Sequence, residues 1–146
     1  MLDQFINDLI LREGSKDTND PDDAGGRTKF GISERAHPDV WAKGPPTRTV
    51  AEDIYLNQYI IQPNFHRIQP PFLFNTVADY GVHSGPLCAA QTLQRILNVT
   101  DDGIIGPKTL ASLTARTTSL EGARVVNNDL VARRILNIDR IVQKRP

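Results

Sequence analysis

Apolar residues recur at helical spacing along most of this chain, and clusters of proline, glycine and aspartate cut the pattern into short lengths. Such a chain can fold only as a set of short packed helices, with little room for sheet. Residues 2–13 place Leu2, Phe5, Ile6, Leu9 and Ile10 on one stripe, the mark of a helix with one buried face. Residues 14–27 are dense in turn formers, and "RTKFGIS" reads as a short strand of a hairpin across "DDAGG". Ser33 looks like an N-cap with Pro38 ending its helix early, and Thr49 with Glu52 fits a capping box for a helix to about Tyr59. Apolar periodicity resumes over 72–82, 86–98 and 119–143, and Pro107 opens a further helix after the Asp102-Gly103 turn. The pattern predicts a mostly helical α+β fold with one small β-hairpin near the N-terminus.

With 146 residues, the chain has the size of one domain and can bury about two thirds of its unfolded surface. Lys+Arg and Asp+Glu both number 17, so no net basic field exists to hold nucleic acid by counterion release. Cys88 is the only cysteine, which excludes an intrachain disulfide and disfavours a thiolate metal site. His37, His66 and His83 share no ligand spacing, so neither a metal nor a cofactor is expected. No apolar run approaches the ~18 residues of a membrane span, and the first residues lack the features of a secretory signal. The expectation is a monomer made in a cytoplasm, with no membrane insertion and no nucleic-acid partner.

Glu13 closes the first apolar stripe, four positions after Leu9 and seven after Ile6, so its side chain should leave the helix on the apolar face. A carboxylate held against hydrocarbon loses hydration, which favours its protonated form. That is what a general acid needs near neutral pH. The alternative is a side chain that reaches for water at the helix end. Beyond it, Asp20, Asp22, Asp23 and Thr28 lie in a run that can fold back over the helix end; these aspartates also suit a turn. A second carboxylate about 6.5–9.5 Å from the acid would leave room for a water, which a threonine hydroxyl could help to hold. A calcium loop fits poorly, because Asp22 stands where the loop needs glycine and Thr28 where it needs a bidentate glutamate. "DAGGRT" precedes a strand-like segment, which argues against a phosphate cradle, and Ser84 in "HSG" lacks a nucleophile elbow.

The stretch "EGSKDTNDPDDAGGRTKFGIS" resembles the glycoside hydrolase family 108 domain, the N-acetylmuramidases of phage endolysins and bacterial secreted proteins. That family shows "EGGY" followed by "NDPxDPGGxTxxGIS", which here aligns Glu13, Gly14, Asn19, Asp20, Pro21, Asp23, Gly25, Gly26, Thr28, Gly31, Ile32 and Ser33. The likeness continues through "IYLNQYI" and through residues 76–113, which look like the peptidoglycan-binding half of that family. Ser15 and Lys16 depart from the usual Gly-Tyr, and His83 stands where asparagine is usual. The spacing of Glu13, Asp22 and Thr28 is also similar to the Glu–Asp–Thr set of phage-type lysozymes.

The resemblance implies one lysozyme-like domain over 1–146, with a catalytic half at 1–75 and a helical half at 76–146. It implies a hydrolase of peptidoglycan that cleaves the β-1,4 bond between N-acetylmuramic acid and N-acetylglucosamine, by inversion. Glu13 would be the general acid. Asp22 would place the water, Asp23 being the choice when the alignment runs back from "GG". Thr28 would hold that water, with His83 and Gln94 as sugar contacts. Delivery to the wall after holin-type release, as in a phage endolysin, follows from the same likeness. A lytic transglycosylase on this scaffold is the near alternative, and a non-catalytic peptidoglycan-binding module the distant one.

Overall fold

The computed structural model of the chain describes residues 2–14, 18, 19 and 26–143, with backbone alone at 18, 19 and 138–143. Contacts divide the chain into two compact units, Met1–Asn57 and Gln58–Pro146.

In the first unit, α1 (Leu2–Glu13) buries Phe5, Ile6, Leu9 and Ile10, the stripe expected from the spacing. Gly14 ends the helix with φ +75, its N–H bonded to the Ile10 carbonyl at 3.0 Å. That left-handed turn costs glycine little, so the chain leaves α1 immediately after Glu13. Three strands follow, β1 (Thr18–Asn19), β2 (Arg27–Lys29) and β3 (Ile32–Ser33), in one antiparallel sheet of order β1-β2-β3. The segment "RTKFGIS" is thus a hairpin in itself, and the expected pairing across "DDAGG" adds a third strand to it.

Two boundaries differ from the sequence pattern. Ser33 accepts a hydrogen bond from the Ala36 N–H at 3.2 Å, but it caps a turn and not a helix. Pro38 then starts α2 (Pro38–Trp41) where it was expected to end a helix. Its missing N–H costs nothing at a helix start, where that donor would be unpaired anyway. The cap of α3 (Arg48–Ile54) is Thr47, whose hydroxyl accepts from Val50 N–H, and not Thr49. Glu52 pairs instead with Arg48 at 2.8 Å. Beyond α3 the chain widens into a π-helical stretch, Tyr55–Ile61.

The second unit is helical: a 3-10 turn (Phe65–Arg67), α4 (Pro71–Ser84), α5 (Pro86–Ile96), α6 (Pro107–Arg116) and α7 (Leu120–Gln143). Three of these helices begin at proline, the start that the sequence pattern gave for Pro107. Leu73, Phe74, Val77, Leu93 and Leu130 are fully enclosed at its centre. A Cβ at Gly81 would come 3.0 Å from the Phe65 ring, so this glycine lets α4 press against the 3-10 turn.

Gln94 is 0% exposed. Its amide nitrogen donates to Asp102 Oδ1 (2.9 Å), the Ile104 carbonyl (2.9 Å) and Thr109 Oγ1 (3.1 Å). Its oxygen accepts from Gly103 N–H at 2.8 Å. The expected sugar contact is therefore corrected: both ends of this amide are used to clamp the loop between α5 and α6, and nothing is left for a sugar. Q94L should lower unfolding free energy by about 2–4 kcal/mol, since it leaves buried partners unmatched. Denaturant titration of the variant checks this. The Asp102 carboxyl group sits below its ordinary value of 3.8, held first by the Ile104 N–H and then by the Gln94 amide. A lowered folded value means stability that is complete above about pH 3.8 and is lost as pH falls through the folded value. D102N should flatten that acid limb, read as the difference between the two melting curves across pH 2–5 (a range of order set by carboxylate titration).

Candidate active site

Glu13 is half-buried at the end of α1. Its position follows from the helix period, which carries the Leu9 side of α1 one turn further and brings a carboxyl group onto the apolar face. What it meets there is the turn of the β2–β3 hairpin. A Cβ at Gly31 would stand 3.0 Å from Glu13 Oε2 and 3.1 Å from its Cδ. Only a residue without a side chain leaves room for the carboxyl group at that distance.

The turn has two central residues, since Lys29 pairs with Ile32 across it. Phe30 has φ +54 and Gly31 φ +77. Positive φ at both central positions is the type I′ arrangement, whose twist suits a two-residue hairpin. Glycine adopts it freely, whereas a phenylalanine there costs roughly 1–2 kcal/mol. Three contacts hold the turn. The Phe30 ring is 8% exposed. Tyr55 donates its hydroxyl proton to the Phe30 carbonyl at 2.7 Å. Trp41 Nε1 donates to the Ile32 carbonyl at 3.1 Å.

Thr28 lies at the middle of β2, in register with Thr18 on one side and Ser33 on the other. The Arg27 guanidinium sits 4.7 Å over the Trp41 ring. Alternation along the strand turns Thr28 to the face opposite Arg27. Glu13 and Thr28 therefore belong to one unit, with Glu13 on the turn that follows the strand carrying Thr28. Asp20, Asp22 and Asp23 lie outside the described residues.

His83 belongs to the second unit, exposed near the end of α4. Its Nδ1 lies 3.0 Å from the Asp79 carbonyl and 3.1 Å from Arg134 Nη2, and Arg134 also donates to the Asp79 carboxylate at 2.8 Å. This ion pair fastens α4 to α7. Among the described residues, no group of three or more His, Cys, Asp and Glu side chains could hold a metal ion. Also among them, no helix is long and apolar enough to cross a membrane.

Sequence reasoning gave Gly31 no role and passed over Tyr55. Gly31 carried a signal, as a glycine next to a bulky residue between two strand-forming stretches. Tyr55 lies in the family-like "IYLNQYI", but no local pattern tied it to the hairpin, because its partner lies 25 residues away.

Residues 6–85 match the family model of glycosyl hydrolase 108. The chain belongs to that family. As a glycosyl hydrolase 108 chain it is a glycoside hydrolase, and the match spans Glu13, the hairpin turn, Tyr55 and His83 while Gln94 lies beyond it. Among solved structures, that of Brucella abortus SagA is similar over 94% of this chain and 79% of its own, at 28% identity and a TM-score of 0.78. The likeness agrees with the mostly helical, lysozyme-like α+β fold expected from the sequence. No curated protein matches the chain.

Gly31→Ala should destabilise the protein by about 1–3 kcal/mol, because an L residue is held at positive φ and crowds two polar side chains. It should also displace the Glu13 carboxyl group. Melting temperature and glycan cleavage, measured together, check both effects.

Proposed function

We propose that this glycosyl hydrolase 108 chain is a peptidoglycan hydrolase, an N-acetylmuramidase that cleaves the β-1,4 bond between N-acetylmuramic acid and N-acetylglucosamine. One observation carries the reading: the half-buried Glu13 carboxyl group, seated against Gly31 of the hairpin turn. A carboxyl group so placed has a fixed position and a partly dehydrated setting, which is what proton donation to a leaving oxygen requires.

In the proposed mechanism Glu13 gives its proton to the glycosidic oxygen as the bond to the sugar's anomeric carbon breaks. Positive charge then spreads over that carbon and its ring oxygen. A water enters from the opposite face, loses a proton to Asp22 and closes the new bond, so the anomeric configuration inverts. Thr28 steadies that water through its hydroxyl. Asp22, or Asp23 in its place, is the second carboxylate of this reading, six or five residues before Thr28 in the sequence. His83 is a proposed substrate contact. The reading includes action on the wall after release by a phage-type route, with the chain as a monomer.

Glu13→Gln keeps the shape of the side chain and removes its acidity. Release of soluble fragments from purified sacculi should fall by on the order of 10²- to 10⁴-fold while the melting temperature holds. Substantial remaining activity would refute the acid assignment. D22N and D23N, made separately, should differ sharply in the same assay. If both stay active, the water is not activated by a carboxylate of this segment.

A further inference from the structure

Tyr55 opens the π-helical stretch and is 3% exposed. Its hydroxyl has one proton to give, and that proton goes to the Phe30 carbonyl at 2.7 Å. Phe30 is held at φ +54, a conformation that an aromatic residue leaves unless its surroundings retain it. The bond from Tyr55 is one such restraint. Its consequence is carried to the next residue, Gly31, whose bare Cα faces the Glu13 carboxyl group. A Cβ built there would collide with the Tyr55 hydroxyl and stand 3.0 Å from Glu13 Oε2. The phenol oxygen and the carboxyl oxygen thus converge on a single point above Gly31. At 3% exposure, Tyr55 is out of reach of a polymeric sugar.

We propose that Tyr55 is a positioning residue for Glu13: it locks the Phe30-Gly31 turn that seats the carboxyl group, and its oxygen walls that seat on one side. The inference rests on the reading of Glu13 as the acid. Misplacing a reacting group by about 1 Å can cost on the order of 100-fold in rate.

Y55F keeps the ring and removes the hydroxyl. The assay uses soluble, uncross-linked glycan strands prepared from purified sacculi, well below the melting temperature of each variant. Y55F should lower kcat by on the order of 10- to 100-fold, leave KM within about twofold, and add no further loss in an E13Q background. A positioning role predicts that last result because the group being positioned is already gone. A kcat within about twofold of the unmodified chain overturns the inference, as does an equal proportional loss in the E13Q background or a change mainly in KM.

If Y55F melts below the assay temperature, G31A takes its place, since its new methyl group occupies the same point. A fall in kcat at unchanged KM supports the seat, and an unchanged kcat overturns it. The two readings fail differently: an active E13Q variant removes the acid itself, whereas an inactive E13Q variant with fully active Y55F removes only the role of Tyr55.

Discussion

The hydrogen bond from the Tyr55 hydroxyl to the Phe30 carbonyl ties the end of α3 to the hairpin turn of the first unit. With the buried Phe30 ring and the Trp41 bond to Ile32, it restrains a turn that has two successive residues at positive φ, one of them a phenylalanine. The glycine of that turn faces the carboxyl group at the end of α1. Backbone conformation, the missing Cβ and the position of Glu13 are therefore one problem with one solution. Strain at Phe30 is tolerated because burial of its ring and the bond to its carbonyl offset it.

The second unit shows the same logic applied to stability instead of chemistry. A glutamine in the middle of an amphipathic helix would ordinarily face solvent. Gln94 is enclosed, and every polar group it brings inside is matched by a partner in the loop that follows. A buried amide satisfied on both ends fixes a loop more specifically than an apolar side chain, which has no preferred direction. The exposed Asp102 ties into the same network, which links the loop to acid pH.

Helices were legible where a period and a stop signal agreed. The 3.6-residue stripe of α1, the proline starts of α5 and α6 and the extent of α7 all stand close to where the pattern put them, although Val125 and Ile135 of the apolar face expected on α7 are exposed. Pro38 and Thr49 misled because the same residue types serve two purposes: proline both ends and begins helices, and neighbouring threonines compete for one cap. The period suggested Glu13 as a carboxyl group on an apolar face, with a side chain reaching for water at the helix end as the alternative. Its seat was not legible, because Gly31 and Tyr55 reach it through tertiary contacts that no local pattern records. Gln94, named as a sugar contact, misled for a related reason: only the folded loop reveals its partners.

The chemistry inferred for this glycosyl hydrolase 108 chain comes down to a proton delivered to a bridging oxygen and a water that completes the reaction. The products carry the record of both events. Mass spectrometry and rapid NMR of the fragments freed from purified sacculi would read it directly. The account predicts muramic acid at a free reducing end, taking up the elements of water and first appearing as the α-anomer. Fragments ending in a 1,6-anhydro ring would contradict it, because no water would have entered at all.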